Sequence, residues 1–208
     1  MKSIKIALTS MFLILSSYAS AVEISSNVGL SSDYIWRGMT QTEGDIAVNG
    51  GFDLSTDMGF YIGTWASNAK YGTATMELDI YLGFSGEMAE NMTYDVGYIS
   101  VIYPGYDAGD FEEAYIAFNI YGLNILYSDG QDSSPSYSEI GYSVDAGPGS
   151  FNISYGEYED TGDNTLVGYD WGVGDFSLGF YYYDFEAAPN NTDVVDDDGA
   201  YISLSRSF

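Results

Sequence analysis

The sequence predicts an all-β protein, a transmembrane, antiparallel, up-and-down β-barrel of about 12 strands with both termini on the periplasmic side. Three observations indicate this class: apolar and polar residues alternate in many segments, tight turns alternate with longer polar loops, and the last segment ends in an aromatic residue. Alternation with a period of two is typical of a strand with one apolar and one polar face. An even strand number, with short turns at one end and long loops at the other, is typical of bacterial outer-membrane barrels.

The N-terminal segment predicts export. Two lysines precede the apolar run Ile6 to Leu15, and the small residues Ala19-Ser20-Ala21 follow it. This order is typical of a secretory signal peptide, and the small residues predict cleavage after position 21. The apolar run is shorter than the roughly 20 residues that a membrane-spanning helix needs, which disfavours an anchor. We therefore expect residues 1–21 to be a signal peptide and residues 22–208 to form one barrel domain.

The alternation is clearest from Met76 onward, where Met76, Leu78 and Ile80 share one parity while Glu77 and Asp79 share the other. This segment does not have the 3.6-residue period of an amphipathic helix, so it is predicted as a strand. Twelve segments are predicted as strands in the same way: 22–33, 45–55, 59–67, 75–85, 92–103, 111–120, 123–128, 137–145, 150–158, 164–171, 175–184 and 199–208.

The segments between these strands fall into two classes. Gly, Pro and Asn are frequent in the short ones, which predicts tight turns. The tight turns are 55–58, 86–91, 121–122, 146–149 and 172–174. The longer, polar loops are 34–44, 68–74, 104–110, 129–136, 159–163 and 185–198.

A soluble β-sandwich or a lipocalin-like barrel would show the same alternation, but with the apolar face inward. Two features favour the membrane barrel. The segment from Gly199 to Phe208 resembles the C-terminal strand by which outer-membrane barrels are recognised for assembly, and Arg206 near its end can reach the periplasmic headgroups. Tyrosine is also abundant, with 21 residues against 11 Phe and 3 Trp, as expected of interfacial girdles. The girdle candidates are Tyr34, Tyr61, Tyr103, Tyr121, Tyr127, Tyr137 and Tyr182.

Composition excludes several functional classes. The chain has no His and no Cys, so it lacks an imidazole base, a Ser-His or Cys-His nucleophile pair and the imidazole and thiolate ligands of metal sites. Its 31 acidic residues against 5 basic ones give a formal net charge of −26, which would repel a nucleic-acid backbone. At 46% hydrophobic residues the chain is also too apolar to be disordered.

Several blocks of the sequence, among them Ser32 to Gly38, Gly59 to Asn68 and Glu77 to Gly83, resemble the TorF-like porin family of proteobacteria. The resemblance covers most of the predicted barrel domain and implies an outer-membrane barrel with porin activity, without implying a catalytic residue. Asn49 stands where that family has Gln. The matching blocks are Ser32 to Gly38, Gln41, Gly50 to Asp53, Gly59 to Asn68, Glu77 to Gly83, Tyr94 to Gly97, Tyr103 to Gly105, Phe111 to Tyr115 and the last strand.

If the apolar parity faces lipid, the barrel interior is acidic, and rings of carboxylates favour cations in channels. Arg37, inside or at the mouth, is expected to form an ion pair with an interior acid such as Glu77 or Asp79, or else to constrict the pore. The candidate pore-lining residues are Arg37, Glu77, Asp79, Asp95, Glu113, Glu139 and Asp170, and Tyr81, Tyr115 and Tyr181 are candidates for partly blocking the lumen.

These features predict a porin-like channel of the bacterial outer membrane for passive diffusion of ions or small solutes, cation-favouring through its acidic lumen. The alternative is a non-conducting barrel with a structural or surface-binding role through its long loops. We expect no enzymatic activity, no cofactor, no metal and no nucleic-acid partner, while outer-membrane lipid and lipopolysaccharide are expected partners. The acidic loop from Thr192 to Asp198 is interpreted as a solvated charge run rather than a Ca²⁺ or Mg²⁺ site, because it lacks the spacing of an EF-hand.

Overall fold

The computed structural model describes residues 21–131 and 134–208. Of the predicted signal peptide, only Ala21 is among the described residues, so the prediction of export lies outside them. No helix in the described part of the chain is both long and apolar enough to cross a membrane.

Fourteen strands follow one another along the described chain, with one short 3₁₀ turn at Asp107–Gly109. Twelve of them, β1 and β4 to β14, close a barrel in which every neighbouring pair is antiparallel. The predicted fold class and strand number are therefore confirmed. The strands are β1 (Val22–Ser31), β2 (Ile35–Trp36), β3 (Met39–Thr40), β4 (Ala47–Thr56), β5 (Phe60–Tyr71), β6 (Ala74–Ala89), β7 (Met92–Ile102), β8 (Phe111–Ile120), β9 (Leu123–Gly130), β10 (Tyr137–Ala146), β11 (Gly149–Tyr158), β12 (Gly162–Val173), β13 (Phe176–Ala187) and β14 (Asp197–Ser207).

Each barrel strand pairs with the next along the chain, and β14 pairs back onto β1 to close the sheet. Backbone bonds in both directions between Ser26 and Phe208 extend this closure to the last residue. The first and last strands therefore begin and end at the same end of the barrel, which also carries the turns 57–59, 90–91, 121–122, 147–148 and 174–175.

The opposite end carries the longer connections, 32–46, 103–110, 131–136 and 188–196. The prediction of a long loop at 68–74 was wrong, because β5 and β6 continue to a turn of only two residues, Gly72-Thr73. A bulge between Asn68 and Tyr71 absorbs the register change that ends the simple alternation there. The loop predicted at 159–163 is also short, since β12 begins at Gly162.

Large apolar side chains face the outside of the barrel on most of its strands, and the polar parity faces inward. The exposed large apolar residues include Ile24, Val48, Phe52, Ile80, Phe84, Val96, Ile116, Ile140, Ile153, Val167, Phe180 and Ile202. The buried polar residues include Ser67, Glu77, Asp79, Glu113, Ser128 and Asn164. This is the reverse of a soluble barrel and the arrangement of a barrel whose outer surface contacts lipid.

Candidate functional site

The site is built around strands β2 and β3, which do not join the barrel sheet. They pair only with each other, Ile35 with Thr40 and Trp36 with Met39, and a two-residue turn joins them. Both turn residues have positive φ, 49° at Arg37 and 78° at Gly38, as a type I′ hairpin turn requires. A side chain at such a φ is strained, so Arg37 occupies a turn position for which Asn or Gly is preferred. We call the segment Ile35–Thr40 the inner hairpin.

Hydrogen bonds at its base direct the inner hairpin into the barrel. The Asp33 carboxylate oxygen Oδ1 accepts bonds of 2.7 Å from the hydroxyls of both Thr40 and Thr42. The backbone N–H of Lys70, near the end of β5, donates to the Gln41 carbonyl oxygen at 2.7 Å. The base is therefore tied to the barrel wall as well as to itself.

The tip of the inner hairpin carries a buried ion pair. Arg37 Nη1 and Nη2 donate to the Glu113 oxygens Oε1 and Oε2, both at 2.6 Å. The two side chains are only 8% and 4% exposed. This two-pronged geometry matches the guanidinium fork to the carboxylate, and it is the strongest form of a charge-assisted hydrogen bond.

Aromatic rings enclose the same guanidinium group. Its central carbon lies 4.1 Å from the ring centroids of both Trp36 and Tyr137, and 5.0 Å from that of Tyr158. Cations over aromatic faces are attracted by the ring quadrupole, and burial strengthens this attraction. The rings thus fix Arg37 between β8, β10 and β11, and not only against Glu113.

The inner hairpin crosses the barrel interior. It leaves the wall between β1 and β4, yet a Cβ atom placed on Gly38 would lie 2.6 Å from Cβ of Asn164 and 3.2 Å from Cβ of Phe185. These two residues are on β12 and β13. Glycine at the tip permits this close approach, so the hairpin divides the space at the long-loop end from the space below it.

Three spaces follow one another through the barrel. At the long-loop end, a space of about 390 Å³ is lined by residues that include Trp36, Tyr103 and Phe111. The same three residues line the next space, of about 340 Å³, which we call the central cavity. A third space of about 500 Å³ lies toward the short turns and shares Leu126 with the central cavity. The inner hairpin therefore lies at the boundary between the first space and the second.

Four of the seven predicted pore-lining residues meet at the central cavity: Arg37, Glu77, Asp79 and Glu113. Both Glu77 oxygens accept hydrogen bonds of 2.6 Å, one from the Tyr34 hydroxyl and one from the Tyr103 hydroxyl. Glu113 is satisfied by Arg37. Asp79 Oδ1, by contrast, is buried and accepts no hydrogen bond from the described residues.

The other three predicted residues lie elsewhere. Asp95 lines the space near the short turns. Glu139 accepts hydrogen bonds from Tyr137 at 2.9 Å and Ser154 at 3.3 Å, and Asp170 accepts one from Asn152 at 2.8 Å. Neither of these two lines the central cavity.

Two phenols outside the strands are protonated donors to Glu77. Burial, reinforced by the charge of Glu77, raises the pKa of Tyr34 well above its ordinary value, and the same two causes raise the pKa of Tyr103. Both hydroxyls therefore keep their protons across the physiological range and hold the Glu77 carboxylate in place.

The partner of Arg37 is an interior acid, but not one of the two that the sequence suggested as examples. An interior ion pair does form, but with Glu113 rather than with Glu77 or Asp79. The inner hairpin carries Arg37 past β6 toward β8, and two tyrosines already satisfy Glu77. No sequence spacing indicates this choice, because it depends on how far the hairpin reaches across the barrel.

Two interior residues, Asp53 and Tyr61, were missed as site candidates. Asp53 accepts a hydrogen bond from Tyr81, and Asp95 accepts one from Tyr61, each at 2.5 Å. The alternation could have indicated Asp53 as an interior residue, since its neighbours Phe52 and Leu54 are exposed apolar residues of the outward parity. Four of the tyrosines predicted for the interfacial girdle donate hydrogen bonds to interior carboxylates instead: Tyr34, Tyr61, Tyr103 and Tyr137. Tyr121, Tyr127 and Tyr182 are exposed.

Interior tyrosines lie over glycines of neighbouring strands. A Cβ on Gly63 would approach the Tyr81 ring to 2.4 Å, and one on Gly97 would approach the Tyr115 hydroxyl to 2.5 Å. The rings therefore occupy room that only glycine leaves free, and they narrow the interior below the inner hairpin. In residues 21–131 and 134–208, no group of three or more acidic side chains is arranged to hold a metal ion.

Comparison with protein families finds a family model that covers more than half of the chain. Residues 16–127 match the model of a family described as "Bacterial protein of unknown function (Gcw_chp)". That description does not mention TorF-like porins, so the resemblance to them stays a prediction. No curated protein matches the chain.

Solved structures that the chain resembles include two outer-membrane porins. OmpF of Salmonella typhi, in complex with daunomycin, has 8% sequence identity and a TM-score of 0.46, over 91% of this chain and 98% of that one. OccAB2 of Acinetobacter baumannii has 8% identity and a TM-score of 0.42, over 92% of this chain and 65% of that one. Both similarities are too distant to transfer a function.

Proposed function

Since this chain belongs to the bacterial family of unknown function Gcw_chp, we propose its function from the chemistry of its own interior: a porin-like outer-membrane channel for passive diffusion of ions or small solutes. The channel favours cations, and the inner hairpin is its constriction. Arg37, Glu77, Asp79, Asp95, Glu113, Glu139 and Asp170 are the proposed pore-lining residues.

The distribution of charge carries this proposal. The described residues include three cations, and Arg37 is the one inside the barrel, where Glu113 neutralises it. Lys70 is exposed at the mouth beside two loop carboxylates, and Arg206 is near the short turns beside Asp175. The remaining interior carboxylates have no basic partner, so the interior potential is negative and attracts cations.

The sizes of the three interior spaces support passage of small solutes only. Twelve strands lie between the eight that side chains can fill and the sixteen or more that leave a wide channel. Here the inner hairpin and the interior tyrosines fill much of the cross-section, leaving spaces of about 340–500 Å³. A chain of such spaces suits hydrated ions and small molecules better than large substrates.

The outer surface supports the membrane location. Large apolar side chains are exposed around the barrel, and burying that area in lipid is favourable. Near the short turns the Arg206 guanidinium lies 4.7 Å from the ring centroid of Phe208 and bonds Asp175 at 3.1 Å. Such a cation, with an apolar stem and a polar head, suits the headgroup level. Outer-membrane lipid and lipopolysaccharide are the proposed partners, and an N-terminal signal peptide the proposed route of export.

Reversal potentials test the proposal. The purified protein, inserted in a planar bilayer under a KCl gradient, is expected to give small current steps and a reversal potential shifted toward that of K⁺. The double variant Glu77→Gln/Asp79→Asn should move this potential toward zero. The control Asp107→Asn/Asp193→Asn removes the same two charges from exposed loops and should leave it near the wild-type value. An anion-selective wild type would refute the proposal.

One observation favours a second candidate function. Because the inner hairpin reaches from β1 to β12, the barrel is also compatible with a non-conducting protein whose long loops bind a partner. Silence in the bilayer from protein that is demonstrably folded and inserted would support this alternative. An enzymatic role has less support, since the chain contains no His or Cys.

A further inference from the structure

Asp79 differs from every other carboxylate of the central cavity. It is 9% exposed, lines the cavity, and its oxygen Oδ1 accepts no hydrogen bond from the described residues. Glu77 has two tyrosine donors and Glu113 has Arg37. A buried carboxylate oxygen without a donor is unfavourable, and a charged donor in the cavity relieves the cost.

The rest of the cavity wall determines what kind of donor fits. Apart from its acids, the wall is largely apolar and aromatic. Its apolar part includes Ile99, Val101, Phe111 and Leu126, and the rings of Tyr81 and Tyr115 also line it. A ligand that matches this wall has one positively charged hydrogen-bond donor and a small apolar body, and ring faces add cation–π attraction to the charge.

The volume sets the size of the ligand. About 340 Å³ lies at the lower end of the range for small-molecule sites. At roughly 30 Å³ per water-sized group, it accommodates on the order of ten such groups. A short alkylamine fits within this limit, and a large amphipathic cation does not.

Two other cations match the site less well. Ca²⁺ and Mg²⁺ take six or more oxygen ligands, and no acidic group of three is arranged to hold a metal ion in the described part of the barrel. A quaternary ammonium ion carries the charge but has no N–H to donate to Asp79. The unpartnered acceptor therefore selects a protonated amine.

We propose that the central cavity is a binding site for small protonated amines, with Asp79 accepting the ammonium hydrogen bond and the apolar wall enclosing the alkyl body. The proposal rests on the proposed function only in that solutes reach the interior. Binding is measurable in detergent without any conduction, so the two proposals fail independently.

Titration calorimetry with n-butylammonium chloride tests the site, using the folded protein in detergent at constant ionic strength in KCl. Saturable binding to the wild type is expected, with at least tenfold weaker binding to Asp79→Asn. The matched control Asp145→Asn removes the same charge from β10, outside the cavity, and should change the affinity less than threefold. Quenching of Trp36 fluorescence, assigned by its loss in Trp36→Phe, gives a second readout at the cavity wall.

Four results would overturn the proposal. The first is absence of saturable binding to folded wild type. The second is equal weakening by both Asp→Asn variants, which indicates only general electrostatic attraction. The third is equally tight binding of 1-butanol, and the fourth is equally tight binding of tetramethylammonium, since neither combines a positive charge with an N–H donor.

Discussion

Arg37 and Glu113 lie 76 positions apart in the sequence, and both guanidinium Nη atoms donate to the carboxylate at 2.6 Å in the barrel interior. This pair joins the tip of a hairpin that starts between β1 and β4 to the wall strand β8. It neutralises the one cation inside the described barrel, so the other interior carboxylates determine the sign of the interior potential.

Breaking this pair should destabilise the protein strongly. Glu113→Gln leaves a buried guanidinium without its counter-charge, and such changes cost about 3–5 kcal/mol. Arg37→Met should cost a similar amount, and the double variant less than the two single effects added together, because no lone charge remains. The free energy of unfolding, from urea titrations of the protein in micelles, measures all three.

The exposed Lys70 provides the control for this series. It bonds Glu43 at 3.3 Å and Asp45 at 2.8 Å at the barrel mouth. Exposed pairs contribute little, so Lys70→Met should change stability by less than about 1 kcal/mol. Equal effects of Lys70→Met and Arg37→Met would show that the interior pair is not buried as described.

Stability should fall at alkaline pH. Burial and the Glu77 charge raise the pKa of Tyr34 and Tyr103 in the folded state, whereas the unfolded phenols ionise near pH 10. Above about pH 10 the unfolded state therefore binds fewer protons than the folded state, and the free energy of unfolding decreases as pH rises.

The double variant Tyr34→Phe/Tyr103→Phe should show a shallower alkaline decrease, from a lower stability at pH 8 because Glu77 loses both donors. Urea midpoints at intervals between pH 8 and pH 11 measure the slope. An alkaline slope identical to that of the wild type would mean that these two phenols titrate normally in the folded protein.

A lysine introduced on the lipid-facing surface of the barrel should lower its stability, whereas a lysine in a loop should not. Ile80 is near the middle of β6 and 45% exposed, with its side chain on the outward parity. Ile80→Lys should cost about 2–4 kcal/mol in a lipid bilayer. Val195 is in a loop and 77% exposed, so Val195→Lys should be neutral. Equal tolerance of both lysines in bilayer-folded protein would favour a soluble barrel.

Cysteine cross-linking can locate the hairpin tip, because the natural chain contains no Cys. A Cβ on Gly38 would lie 2.6 Å from that of Asn164, so Gly38→Cys/Asn164→Cys should form a disulfide after a small shift to the usual Cβ separation of roughly 3.8 Å. Gly44 has the same φ of 78° but no neighbour within 4 Å. Gly44→Cys/Asn164→Cys therefore carries matched backbone strain and should stay reduced. Mass spectrometry of both oxidised variants distinguishes the outcomes.

The barrel could be predicted from the sequence because its signal is local. Apolar residues such as Met76, Leu78 and Ile80 alternate with polar ones such as Glu77 and Asp79. This alternation reflects the two faces of one strand, so each strand can be recognised from its own residues. Closure then follows from the even number of strands and from the alternating lengths of the connections.

The inner hairpin could not be predicted because its signal is short and its contacts are distant. Its two strands contain only two residues each, on either side of Arg37-Gly38, which is too short for a periodicity to be recognised. The sequence therefore predicts one polar loop for the whole segment. Pairing with Glu113 requires the hairpin's reach and the register of the intervening strands, which are properties of the closed barrel. The alternation in β8 did predict that Glu113 faces the interior, so the sequence indicated the position of one partner of the ion pair.

The measurement that tests the central claim most directly is the single-channel conductance of a variant without the inner hairpin. Residues 34–42 are replaced by Gly-Ser-Gly, which can still connect β1 to β4 because Ser31 and Ala47 are paired neighbours. If the hairpin is the constriction of an acidic path, the wild type gives small cation-selective steps and the variant gives clearly larger steps that remain cation-selective. Equal conductance of the two folded, inserted proteins, or silence from both, would contradict the account.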